Sequence, residues 1–202
     1  MNEMCFEDLD LSYLSSARHF HLSSFFLHRA LRPRVVELFR SIKAAGLTIS
    51  LDTNDDPDDQ WDGELHTVLR HVDVFLPNGR ELGKVAGTED LDAAISRLAQ
   101  MISIVAVKMG PQGAIAQRGK ERFTAPALPV EAVDPVGAGD SFDAGFIHQF
   151  VHGADVPACL AFGNLAGALS TTRPGGTEAF RDREHLEAFL TQHWPHAVQA
   201  QS

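Results

Sequence analysis

Asp134-Pro135-Val136-Gly137-Ala138-Gly139-Asp140 runs directly into a segment in which Phe142, Phe146, Ile147 and Phe150 recur at helical spacing. Gly137, Ala138 and Gly139 let a backbone approach a ligand closely. Their N–H groups, with the positive end of the helix behind them, make a place for an anion such as a phosphoryl group. Asp140 stands at the mouth of that place, where a carboxylate can orient an alcohol and take its proton during phosphoryl transfer. Aspartate is also a favoured N-cap, so the carboxylate alone reads as a cap; the glycines before it and the helix after it turn the reading toward chemistry. Two other phosphate motifs fail on spacing. A dinucleotide fingerprint needs a small residue where Phe142 stands, and Gly83-Lys84 and Gly119-Lys120 lack the hydroxyl that follows the lysine of a P-loop.

Upstream of the turn, short apolar runs alternate with helical patterns. Strands are expected at Phe20 to Leu27, Leu47 to Leu51, Val72 to Leu76 and Ile102 to Val107. The first helix should open at Pro33, bury Val36, Phe39 and Ile42, and stop at Gly46. Further helices are expected from about Asp62 to Leu69 and from Asp90 to Met101. Crossovers of this length predict parallel strands covered by helices. Ala114 to Gln117 and Arg122 to Ala125 read as a hairpin at the sheet edge. After Asp140 the chain should be helical, with a small-residue helix from Pro157 to about Thr172 and an amphipathic one around Leu186 to Leu190. No repeat or linker interrupts residues 1–202, so one α/β domain is expected.

Composition narrows the partners. In 202 residues there are 17 Lys plus Arg against 27 Asp plus Glu, a formal charge of -10 that repels nucleic acid. Two distant cysteines, Cys5 and Cys159, fit a reducing compartment. With no signal-like start and no run long enough to span a membrane, a cytoplasmic protein is expected.

In an open parallel sheet the ligand crevice lies beyond the carboxyl ends of the strands. Asp52-Thr53-Asn54, Asn78-Gly79-Arg80-Glu81 and Lys108-Met109-Gly110-Pro111-Gln112-Gly113 occupy those ends. Asp52 and Asn54 read evenly as lining a sugar or phosphate crevice or as part of an acidic turn that continues through Asp59. A calcium loop is excluded, because Pro57 and Gly63 stand where glycine and glutamate are required. The pairs His19/His21 and His193/His196 have no third ligand nearby and read as surface or satisfied core histidines.

Gly137-Ala138-Gly139-Asp140, continued by Ser141-Phe142-Asp143-Ala144-Gly145-Phe146, resembles the C-terminal signature of the ribokinase-like (PfkB) carbohydrate kinases. Asn78-Gly79-Arg80-Glu81 is similar to the family's Asn-x-x-Glu motif, and Lys108 to Gly113 to its nucleotide loop. The resemblance runs from about Arg18 to Phe180 and implies a three-layer α/β fold with a mostly parallel sheet. It implies ATP and Mg2+ as cofactors, a sugar as acceptor and Asp140 as base, with the N–H groups of Gly137, Ala138 and Gly139 on the transferring phosphoryl group. Asn78 and Glu81 would act on the magnesium side through water. Lys108, Gly110 and Gly113 would wrap the nucleotide, with Asn164 near the adenine. Asp134, with Ser170, Arg173 and Gly175, matches the place where many members hold a monovalent cation such as K+. Pro135 and Val136 replace hydroxyl residues common there, which leaves the cation to carbonyls and Asp134. Because the residues from Phe6 to Leu27 resemble the middle of the family's fold, the family's first strands, its sugar-contacting acid and its lid are expected to be missing from this chain. The resemblance therefore leaves two readings: a sugar kinase, or a non-catalytic relative that keeps a nucleotide site or only the fold. An uncovered sheet edge also predicts self-association, as in a homodimer.

Overall fold

Among the described residues six strands lie in the sheet in chain order: β1 (His19–Leu22), β2 (Thr48–Leu51), β3 (Val74–Phe75), β4 (Ile104–Lys108), β5 (Ala114–Arg118) and β6 (Glu121–Ala125). The structure, a computed structural model, describes residues 2–61 and 63–194. The first four strands pair in parallel, with His19 opposite Thr48, Ser50 opposite Val74 and Val74 opposite Ile104. A short helix, α1 (Leu11–Leu14), precedes β1; α2 (Val35–Ala44), α3 (Gly63–Leu69), and the pair α4 (Gly79–Ala86) and α5 (Leu91–Leu98) fill the three parallel crossovers. The last four helices are α6 (Ala138–Val151), α7 (Val156–Thr171), α8 (Glu178–Arg181) and α9 (Arg183–His193). Among the described residues no helix is long and apolar enough to cross a membrane.

The chain divides into two compact units, Met1–Met109 with Ile115–Phe123, and Gly110–Ala114 with Thr124–Ser202. In the first, one apolar cluster joins Ile49, Leu51, Phe75 and Val105 from the strands to Leu38, Phe39 and Ile42 of α2, Leu82 of α4 and Ile95 of α5. Each helix turns a single stripe toward the strands, as amphipathic covering helices must. In the second unit α6 and α7 approach closely because small residues sit at the contact. A Cβ on Gly163 would lie 2.8 Å from the Phe142 ring, and one on Gly145 2.8 Å from the Phe162 carbonyl oxygen. Leu165, Leu169, Ala179 and Phe189 form the apolar cluster that joins α7, α8 and α9.

Several boundaries differ from those expected. The run from Phe20 to Leu27 is not one strand. It ends at Leu22, because Ser24 adopts a left-handed conformation and Phe25–Leu27 wind into a 3-10 turn that buries Phe25 and Phe26. Pro33 lies in a 3-10 turn ahead of α2, so the buried stripe is Val35, Leu38, Phe39 and Ile42, with Val36 only partly covered. Gly46 ends that segment at φ +89°. α4, which follows β3, is not among the helices expected from the sequence, and α6 begins at Ala138, two residues before Asp140. The expected helix start at Asp62 lies outside the described residues.

Candidate active site

In the first unit, the carboxyl ends of β2, β3 and β4 bring four polar side chains together. Lys108 Nζ lies 2.8 Å from Asp52 Oδ2, both side chains being largely buried. Asn78 and Lys108 form a parallel bridge that extends the β3–β4 pairing toward α4. Asn78 caps α4: its Oδ1 accepts from Glu81 N–H at 2.9 Å, while the Glu81 carboxylate accepts from Asn78 N–H at 2.9 Å and from Asn78 Nδ2 at 2.6 Å. This reciprocal arrangement is a capping box, and the Asn-x-x-Glu spacing alone signals it. Glu81 is buried, and burial together with the nearby Asp52 charge pushes its carboxyl up to about 7. Oxygen donors of this kind suit a hard cation that keeps part of its water shell.

Asp52 and Asn54, the expected crevice residues, are engaged locally. Asp52 Oδ1 accepts from Asn54 N–H at 3.1 Å, and Asn54 Nδ2 donates to Ser24 Oγ at 3.0 Å. The acidic turn beyond them is held together by Asp56, whose carboxylate accepts from the N–H groups of Asp58, Gln60 and Trp61. Asp55, Asp58 and Asp59 pair at the surface with Arg80, Arg29 and Lys84. His19 and His21 face Thr48 and Ser50 on the neighbouring strand at 2.7–2.8 Å, and burial lowers His19 to about 4, so its ring stays neutral. His193 packs on Phe189, while Pro195 and His196 lie outside the described residues.

In the second unit the turn before α6 is fixed at both ends. Asp134 Oδ1 accepts from Val136 N–H at 3.0 Å and Oδ2 from Gly175 N–H at 2.9 Å; the Gly175 and Val136 bonds hold its carboxyl below the usual carboxylate range. Gly137, at φ +78°, is the N-cap, and a Cβ there would lie 2.9 Å from the Gly176 Cα. Asp140 is therefore not the cap. It sits in the first turn of α6, exposed, and among the described residues its carboxylate makes no hydrogen bond or ion pair. Ala138 N–H is committed to the Pro135 carbonyl at 3.2 Å. Among the described residues the N–H groups of Gly137, Gly139 and Asp140 reach no protein acceptor, so three amides and one carboxylate are available at this helix end. Phosphoryl oxygens match such donors.

A cavity of about 900 Å³ opens beside this turn, with Gly137, Asp140 and Ser141 on one wall and Phe162, Leu165 and Leu186 among its apolar lining. Elsewhere in the unit the expected nucleotide residues converge on one backbone segment. Gly113, at φ +90°, lies so close to Ala125–Pro126 that a Cβ would fall 2.1 Å from the Ala125 carbonyl oxygen, and its N–H bonds the Gly110 carbonyl at 3.0 Å. Asn164 Nδ2 donates to the carbonyls of Ala125 and Pro126 at 3.0 and 2.9 Å, which leaves its Oδ1 for a ligand. Of the expected cation residues, Gly175 meets Asp134 through its N–H. Ser170 is buried, with its hydroxyl donated to the Gly167 carbonyl, and Arg173 reaches Asp182 at 3.4 Å.

The Lys108–Asp52 pair was not read from the sequence. Its partners are far apart along the chain, and the signal that could have found it is the placement of both at strand carboxyl ends.

Residues 1–183 match the model of the pfkB family of carbohydrate kinases. The chain is 33% identical over 193 residues to an ATP-dependent ribose-1-phosphate kinase of Halopiger xanaduensis, covering 92% of this chain and 59% of that protein. It is 29% identical over 181 residues to an uncharacterized sugar kinase of Archaeoglobus fulgidus, covering 87% and 69%. A candidate Ribokinase II from E. coli, solved in complex with ATP and Mg2+, superposes with a TM-score of 0.84 at 29% identity, covering 95% of this chain and 64% of that one. The chain thus spans roughly three fifths to two thirds of the length of these relatives. With the family model spanning nearly all of the chain and the strand order and glycine turn in place, this protein belongs to the pfkB family of carbohydrate kinases and has the ribokinase-like α/β fold.

Proposed function

We propose that this protein transfers the γ-phosphoryl group of ATP to a sugar hydroxyl, with Asp140 as the base. The observation that carries this reading is the state of Asp140: an exposed carboxylate with no protein partner among the described residues, beside open amides, at a helix whose capping falls to Gly137. The sugar hydroxyl gives its proton to the Asp140 carboxylate as its oxygen attacks phosphorus and the bond to the leaving ADP oxygen breaks. The N–H groups of Gly137 and Gly139 take the charge that gathers on the phosphoryl oxygens. Gly110, Gly113 and Asn164 hold the nucleotide. Mg2+, if bound, would neutralise phosphate charge, and Asn78 and Glu81 would hold its water shell, while Asp52 keeps Lys108 in place. A monovalent cation would rest on carbonyls and the remaining lone pairs of Asp134, close to Ser170, Arg173 and Gly175. The ribose-1-phosphate kinase relative and the neighbour solved with ATP and Mg2+ support the choice of donor and acceptor class.

A second reading is a non-catalytic relative that keeps a nucleotide site, with Gly113 and Asn164 gathered at the Ala125–Pro126 backbone. Incubation with Mg-ATP and a panel of pentoses, hexoses and sugar phosphates separates the two. Sugar-dependent release of ADP supports the kinase, and nucleotide binding without turnover on any sugar supports the second reading.

A further inference from the structure

The last turn of α6 carries two exposed histidines that the phosphoryl chemistry does not use, His148 and His152. Four residues apart on a helix, they lie one above the other on the same face, the spacing at which two imidazoles can share one metal ion. Their ring centroids are 4.5 Å apart with an interplanar angle of 43°. With metal–nitrogen bonds of about 2.0–2.1 Å, two imidazoles at a right angle have centroids about 4.5 Å apart, against about 5.2 Å at the tetrahedral angle. The observed separation therefore suits cis ligands of a square-planar or octahedral ion more closely than a tetrahedral zinc site.

Two further features point the same way. His152 Nδ1 lies 2.7 Å from the His148 carbonyl oxygen. A donor hydrogen there fixes the tautomer and leaves the Nε2 lone pair for a metal, the outer-shell arrangement that metal-binding histidines adopt. His152 is also the C-cap of a fourteen-residue helix, whose carbonyl end carries partial negative charge and favours a cation.

We propose that His148 and His152 form a two-ligand site for a divalent transition ion of the Ni2+ or Cu2+ class, with water filling the other positions. The site is independent of the kinase reading. His148 also lines the cavity that holds Asp140 on its wall, so a bound ion would sit at the rim of that cavity.

The test uses Ni2+ alone, added to the full chain without a purification tag in a non-coordinating buffer and followed by calorimetry and by two-dimensional NMR. One ion per chain is expected to bind most tightly and to broaden the amide signals of residues 147–154 first. His148→Gln and His152→Gln should each weaken that binding more than tenfold, with the double variant little weaker than either, while His71→Gln leaves it unchanged. Both residues are exposed, so folding is preserved, and circular dichroism checks it. Equal affinity in the parent and both variants, or first broadening away from the end of α6, overturns the proposal.

Discussion

Lys108 Nζ and Asp52 Oδ2 lie 2.8 Å apart at the carboxyl ends of β4 and β2, with side-chain exposures of 13% and 2%. Two opposite charges are thus held in a place that water scarcely reaches, where each is tolerated because the other is present. The pair also brings a positive charge close to Glu81, whose own carboxyl is raised by burial and by Asp52.

Removing one partner should be worse than removing both. Lys108→Met leaves Asp52 buried without its ammonium and is expected to cost about 3–5 kcal/mol of stability, while Asp52→Asn in the same background recovers part of that loss. A double-mutant cycle from urea denaturation measures the coupling, which should exceed about 1 kcal/mol. Additive single effects would show that the pair contributes nothing as a pair.

Glu81 makes stability depend on pH around neutrality. A carboxyl whose folded value is raised from 4.5 to about 7 binds its proton more tightly in the native state. Its contribution is fully present below the unfolded value and is lost as pH rises through the folded one. Unfolding free energy should therefore fall between about pH 4.5 and 7, by up to about 3 kcal/mol from this group. Glu81→Gln should flatten that slope. An unchanged slope in the variant would assign the pH dependence elsewhere.

The close approach of α6 and α7 sets Gly163 of α7 apart from Gly79 of α4. Gly163→Ala puts a Cβ 2.8 Å from the Phe142 ring and should cost about 1–3 kcal/mol through overpacking, seen as a lowered Tm. Gly79→Ala meets only the Met109 side chain, with Sδ at 3.5 Å and Cε at 3.8 Å, ordinary contacts, and should change stability by less than about 0.5 kcal/mol. Equal effects at the two positions would mean that the helix contact is looser than described.

What could be read from the sequence follows from how local each cause is. The alternation of apolar runs and amphipathic segments set out β1 to β4 and their parallel crossovers, because period and crossover length act within a few residues. The glycine turn before α6 was equally legible, since it depends on small residues and a helix start in one short stretch. The end of β1 was not. Nothing in the residues from Phe20 to Leu27 shows that Ser24 turns left-handed and sends Phe25 and Phe26 into the core. That Asp140 is not the cap was likewise hidden, because it follows from the left-handed conformation of Gly137 and its packing against Gly176 rather than from residue type. The pairing of Asp52 with Lys108 depends on strand register, which brings together residues far apart in the chain.

Asp140→Asn tests the assignment of Asp140 as the base in one comparison. With no partner to lose among the described residues, the substitution should change stability by less than about 0.5 kcal/mol and leave ATP affinity near that of the parent. Sugar-dependent ADP release should fall about 10²–10⁴-fold, the range of a general base. Comparable turnover by the two proteins would contradict the assignment of Asp140 as the group that takes the proton.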